Sequence, residues 1–345
     1  MSVPEDFKSV IGRPGPLLAL APMQDITDLQ FWRLLMRYGG PDVFYTEYFR
    51  VHAVSRLEKE LLRWIVENDT GRPVIAQVAG EDVPSLARTA RELQRYPVAA
   101  IDLNLGCPAP IVCRKKVGGA LLRDLPKIDQ ILGAMREAVT IPFTVKTRLG
   151  FGSTEGFETL LALFAKHHVD LVAVHGRTVQ DGYLGRVDYE RIAQAAQTLP
   201  CPVLINGDIH SAAQAVNLWR STGARGLMIG RGAIRNPWLF AQIRQQYQGQ
   251  TVRLPSGRDV LVYLRALFAA TRPAGMREVT HVEKMKKYLN FIGVGIEPSG
   301  QFLHQIRRVT TEADFVRVCE AFLDHDRPMP LEPFHALPKS PEPAS

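Results

Sequence analysis

Between residues 17 and 247 the chain alternates short apolar, β-branched runs with longer amphipathic ones. The short runs are Leu17–Met23, Val43–Tyr48, Pro73–Ala79, Ala99–Leu105, Pro142–Arg148, Leu171–His175, Pro202–Asn206 and Gly226–Ile229. Each is too short for a stable helix and has the composition of a pleated, buried strand. Helical periodicity follows them, over Ser85–Arg95, Leu125–Ala138, Gly156–His168, Tyr189–Leu199 and Ser211–Ser221 among others. Several of these open on Ser, Thr or Asp, whose side chains cap free backbone N–H groups. Eight strand–helix units in about 230 residues predict an α/β fold, a (β/α)8 TIM barrel. A doubly wound open sheet fits less well, because it calls for a glycine fingerprint after the first strand and the turn QDITD has no glycine.

The alternation stops after Gln250. Asp259–Thr271, Val279–Ile292 and Glu312–Asp324 have helical spacing, and Arg307–Arg308 end a further helix. The predicted organisation is a catalytic barrel domain over 1–250, a smaller C-terminal helical domain over 251–327, and a mobile tail over 328–345, where 6 of 18 residues are proline.

Composition narrows the class. With 46% hydrophobic and 22% charged residues, collagen, an extended coiled coil and a wholly disordered chain are excluded. The net charge of +7 favours a polyanionic partner, and its location matters: residues 231–310 hold 13 Lys or Arg against 4 Asp or Glu. Within that stretch, Glu283-Lys284-Met285-Lys286-Lys287-Tyr288 sets Lys284, Lys286 and Lys287 at helical spacing, an RNA-facing pattern as well as an ordinary solvated face. The four cysteines are too scattered for a disulfide framework or a zinc pair. The first 16 residues lack the apolar stretch of a signal peptide, and no run of about 18 apolar residues occurs. The expected location is the cytoplasm, and the expected state a monomer.

In such a barrel the C-terminal strand ends build the active site, and here they carry Met23, Gln77, Asn104, Lys146, His175, Asn206 and Gly230. Asn206-Gly207-Asp208 and Gly230-Arg231-Gly232 close the last two strands. Their glycines let backbone N–H groups approach a phosphate, and Arg231 adds a forked anion ligand. A phosphorylated cofactor is expected there. Lys146 suits an anion developing on a cofactor ring, and His175 and Arg177 suit the ring or its phosphate. Cys107, just beyond the fourth strand, is a thiol that serves as a general acid or as a nucleophile. The loop beyond it holds Arg114, Lys115, Lys116 and Gly118-Gly119.

Six ordered motifs resemble the dihydrouridine synthase family over about residues 17–310. They are Ala21-Pro22-Met23 with Thr27-Asp28, the run Asp102 to Pro108 (DLNLGCP), Val145-Lys146-Thr147-Arg148, Val174-His175-Gly176-Arg177-Thr178, Ile205-Asn206-Gly207-Asp208, and Met228-Ile229-Gly230-Arg231-Gly232. The resemblance implies an FMN barrel followed by a helical tRNA-binding domain, reducing the C5=C6 bond of a tRNA uridine with NADPH as electron source. The family's FMN contacts fall on Pro22, Met23, Gln24, Gln77, Lys146, His175, Asn206, Gly207, Asp208, Gly230 and Arg231, and its proton donor on Cys107. Asn104, Lys146 and Arg148 are expected to hold the uracil, and Arg177, Lys284, Lys286 and Lys287 to contact substrate. Two departures stand out: Asp25 replaces the usual first-turn glycine, and the loop after Cys107 reads VCRKKVGG. Two rivals are an FMN-dependent dehydrogenase of the dihydroorotate type, which has no use for a basic helical domain, and a non-catalytic RNA-binding protein, which leaves the strand-end residues idle.

Overall fold

All eight predicted strand positions are occupied, and the reason is visible in the computed structural model, which describes residues 7–273 and 275–334. The strands are β1 (Leu17–Leu20), β2 (Phe44–Tyr45), β3 (Phe49–Val51), β4 (Val74–Gly80), β5 (Ala100–Leu105), β6 (Phe143–Arg148), β7 (Leu171–His175), β8 (Val203–Asn206) and β9 (Gly226–Ile229). Their order is β1-β9-β8-β7-β6-β5-β4-β2, all pairs parallel, with β3 also on β4. The bridge between Ala19 and Val43 closes the ring. The predicted second strand is therefore interrupted, and β2 and β3 both run along β4.

Every second residue points inward. Leu17, Ala19, Ala21, Val43, Tyr45, Ile75, Ala100, Leu171, Ala173, Leu204 and Met228 form one buried cluster, joined by Phe7 and Val10 of the helix Phe7–Gly12. Following the same alternation toward the C-terminal strand ends, Ile75 gives way to Gln77, Ala100 to Asp102 and Asn104, Ala173 to His175, and Leu204 to Asn206. One end of the barrel interior is thus apolar and the other polar. Helices Lys59–Val66, Val83–Leu93, Leu125–Ala138, Phe157–Lys166 and Tyr189–Thr198 follow successive strands, and Asp82, Asp124 and Asp188 each cap the helix they precede.

By density of contacts the chain forms two compact units. The first takes residues 1–24, 41–208 and 216–229, the second 25–40, 209–215 and 230–345. The second unit contains the helices Leu29–Met36, Gly257–Ala270, Glu278–Ile292, Gln301–Ile306 and Glu312–Leu323. Ser256 and Asp259 form a reciprocal capping box at the start of Gly257–Ala270. Tyr288 donates to the Ile26 carbonyl at 2.9 Å, which ties residues 25–40 to the helix Glu278–Ile292.

One sequence expectation changes. Residues 328–334 are packed into the second unit rather than extended: Met329 and Leu331 are buried, the Met329 amide donates to the Pro255 carbonyl, and Arg235 donates to the Leu331 carbonyl. Two apolar side chains among the prolines are enough to anchor the segment. The rest of the expected tail, 335–345, lies outside the described residues. No helix among the described residues is long and apolar enough to cross a membrane.

Candidate active site

The polar end of the barrel is organised around one chain of hydrogen bonds. Asp102, fully buried on β5, accepts from Thr144 Oγ1 at 2.6 Å and from Gln77 Nε2 at 2.8 Å. Gln77 Oε1 accepts from Asn104 Nδ2 at 2.7 Å, and Asn104 Oδ1 accepts the backbone N–H groups of Gly106 and Cys107, both at 3.0 Å. Strand register sets Gln77 beside Asp102 and Asn104 beside Lys146. Burial raises the Asp102 carboxyl to about 6, against the pull of Thr144, Gln77 and Lys146.

Cys107 sits at the neck of a loop. Its carbonyl accepts from the Gly119 amide at 3.1 Å, so residues 107–119 leave and return to one point. The short helix Pro110–Arg114 and the 3-10 turn Gly118–Arg123 lie within and after this loop. Gly118 has φ +61°, and a Cβ there would stand 3.1 Å from the Cys107 Cβ and 3.1 Å from Val112 Cγ1, so a side chain there would be strained and crowded. Burial pushes the Cys107 thiol above its usual range, opposed by the Ala109 amide, Lys146 and Arg148. Raising the thiol disfavours the thiolate, the form a nucleophile needs. Cys113 Sγ reaches the Cys107 carbonyl at 3.7 Å.

Lys146 donates from Nζ to Asn206 Oδ1 at 3.1 Å, and Asn206 Nδ2 donates to the Met228 carbonyl at 2.8 Å. Burial, with Arg148 second, draws the Lys146 ammonium down to about 8. The turn after β8 places Gly207 at φ +123° and Asp208 at φ +43°. A Cβ on Gly207 would meet both Val187 methyls at 3.1 Å. Buried Arg177 donates to the Gly185 carbonyl and to the Asp208 carboxylate, while its Nη1 has no hydrogen-bond partner among the described residues. The side-chain set fits a phosphorylated flavin: a lysine for the ring, a glycine turn with no room for a Cβ, and a buried guanidinium nitrogen left unpartnered.

Several expected site residues take a different place. Arg148, 2% exposed, donates to the carbonyls of Gly106 at 2.9 Å and of Thr178 and Gly182 at 2.8 Å each, so its donors hold backbone. Gln77 and Asn104 spend their side-chain polar groups on each other, on Asp102 and on the Cys107 turn. His175 lies edge-on to Tyr183, whose ring also covers Arg148. Pro22, Met23 and Gln24 follow β1 in the first unit, whereas Gly230 and Arg231 belong to the second. There too, Lys284 pairs with Asp28 at 3.7 Å, Lys286 with Glu283 at 2.5 Å and Lys287 with Asp25 at 3.1 Å. Asp25 adopts φ +60°, the conformation the expected glycine would take, and the Lys287 ion pair offsets part of its cost. Asp102 and Thr144 carried no predicted role, although the inward alternation from Ala100 through Asp102 to Asn104 marks the carboxylate as buried.

The crystal structure of TcOYE with pHBA superposes on this chain with a TM-score of 0.51 at 10% identity, covering 70% of this chain and 91% of that one, a likeness of fold alone. tRNA-dihydrouridine synthase B of Pseudomonas putida is 36% identical over 73% of this chain and 76% of its own length. tRNA-dihydrouridine synthase B of Xanthomonas axonopodis pv. citri is 33% identical over 86% and 90%. The tRNA-dihydrouridine(16) synthase of Neisseria meningitidis is 29% identical over 88% and 94%. Residues 19–326 match the dihydrouridine synthase (Dus) family description, a span that takes in every strand from β2 to β9 and the loop carrying Cys107, and the chain belongs to that family.

Proposed function

We propose that this chain is a tRNA-dihydrouridine synthase that uses FMN and NADPH and works as a monomer in the cytoplasm, with residues 1–250 as catalytic domain and 251–327 as tRNA-binding domain. The observation that supports it most is the placement of Cys107, its thiol raised by burial, with Lys146 and Arg148 at the polar end of a barrel of this family. Flavin, when bound, would supply hydride chemistry toward uracil C6. Cys107 Sγ gives its proton to C5, so one hydride and one proton add across the double bond. Burial keeps that proton on sulfur until C5 becomes basic enough to take it.

Pro22, Met23, Gln24, Gln77, Lys146, His175, Asn206, Gly207, Asp208, Gly230 and Arg231 hold the cofactor in this reading. Lys146 would hold the ring, and Arg177 steadies the turn at Asp208 and would contribute its open Nη1. Asn104 and Arg148 shape the base pocket, Arg148 by fixing the Gly106 and Gly182 carbonyls. Lys284, Lys286 and Lys287 meet RNA phosphates while Asp28, Glu283 and Asp25 hold their ammonium groups.

The dihydroorotate-type dehydrogenase is the rival to test. Protein reduced under anaerobic conditions is mixed with unmodified tRNA or with orotate, and flavin reoxidation is followed by absorbance. Faster reoxidation by tRNA is expected, and a preference for orotate would overturn the reading.

A further inference from the structure

A buried carboxylate in the barrel that bonds to no cation needs a reason. Asp102 is 0% exposed, and among the described residues its side chain is hydrogen-bonded to Thr144 Oγ1 and Gln77 Nε2 alone. Burying a carboxylate that lacks a partner cation costs several kcal/mol in general, which an apolar residue at this position would avoid.

The reason lies in the direction of the hydrogen bonds. An amide side chain has a donating and an accepting end that differ little in shape, so two linked amides can settle in either sense. Here both ends of the chain are fixed. A carboxylate only accepts, so Gln77 must turn its NH2 to Asp102 and its carbonyl to Asn104. Asn104 must then give its NH2 to Gln77, which leaves its carbonyl oxygen for the Gly106 and Cys107 amides. The Thr144 hydroxyl donates or accepts equally well and imposes nothing.

We propose that Asp102 is a positioning residue for the Cys107 thiol: through Gln77 and Asn104 it fixes the turn from which the thiol projects. Asp102 itself is bonded to Gln77 and Thr144 and is linked to Cys107 only through Gln77 and Asn104. The same bonds hold Gln77, so a single carboxylate aligns a cofactor-contacting amide and the proton donor together. The proposal rests on the role given to Cys107 above.

The test uses the full-length protein as isolated, with Asp102→Leu and Asp102→Asn. In Asp102→Asn the new amide can present its carbonyl to Gln77 and its NH2 to Thr144, so the sense of the chain survives, whereas Asp102→Leu removes the acceptor that anchors the Gln77 NH2 and leaves that end of the chain unheld. The readout is the rate of Cys107 alkylation by iodoacetamide across pH, measured on the Cys107 peptide, with Cys201 as internal reference because it lines a cavity with Pro202, Trp219 and Arg225. Asp102→Leu is expected to change the Cys107 rate by about tenfold or more and displace its pH profile, with Cys201 unaltered. Asp102→Asn is expected to stay within about threefold of the parent.

With tRNA as substrate, Asp102→Leu is expected to lose kcat with little change in KM. If Asp102→Leu does not fold, Gln77→Met, which cuts the chain at its middle, is expected to give the same change in the thiol. Unchanged Cys107 alkylation at every pH, in either of these two variants unfolding cooperatively like the parent, would overturn the proposal. A thiol that responds as expected in a protein whose parent does not reduce tRNA leaves the positioning role standing and removes the functional reading instead.

Discussion

Arg148→Lys separates two roles that the sequence could not tell apart. If the guanidinium reads the uracil, losing it weakens substrate binding. If it holds backbone, losing it loosens the protein. The structure gives three bonds from the guanidinium to carbonyls, at 2.9, 2.8 and 2.8 Å, around a side chain 2% exposed. A hydrogen bond from a charged donor to a buried acceptor contributes about 1.5–3 kcal/mol, and a lysine ammonium at this position can keep about one of the three. Two carbonyls then lose their donor, a destabilisation of about 3–5 kcal/mol once non-additivity between neighbours is allowed for.

In urea unfolding this appears as a lower midpoint at an unchanged slope, together with faster proteolysis between Thr178 and Gly185, the segment whose carbonyls Arg148 and Arg177 hold. An unchanged midpoint with a raised KM for tRNA would refute the scaffold role and restore the base-binding one.

Cys107→Ala is expected to bind FMN and accept electrons from NADPH at the parental rate, yet to reduce tRNA about 10²-fold or more slowly, as single-turnover kinetics would report. Flavin affinity of the cofactor-free protein is expected to fall as pH rises through about 8, because Lys146 loses its charge there; titration of FMN between pH 6 and 10 shows the limb, and Lys146→Met abolishes it. Replacing Lys284, Lys286 and Lys287 together by Gln is expected to lower the slope of log affinity for tRNA against log salt by about 2–3 units; an unchanged slope removes this helix from the RNA interface.

The barrel was legible because two periods are written plainly in the chain: alternation along the strands and helical spacing between them. The same alternation found Gln77, Asn104, Lys146, His175 and Asn206, whose inward direction the strands dictate. What a side chain does after turning inward was not legible. Arg148 and Lys146 are two residues apart on β6, yet one is bound to three carbonyls and the other to a single amide oxygen. That difference depends on loops from distant parts of the chain.

Nor could the count of lysines in residues 231–310 reveal that Lys284 and Lys287 are paired with Asp28 and Asp25, roughly 260 positions away in sequence. Residues 25–40 read as part of the barrel and instead join the helical unit. The burial of Met329 and Leu331 was hidden by the prolines around them.

Reduction of uridine in tRNA by this barrel is read from the dihydrouridine content, position by position, of tRNA from cells lacking the gene, before and after treatment with the purified protein and NADPH. Dihydrouridine is expected to be missing at a defined position and to return there on treatment with the parent but not with Cys107→Ala. A full complement of dihydrouridine in the deletion strain's tRNA, with no uptake of hydride by unmodified transcripts, would contradict it.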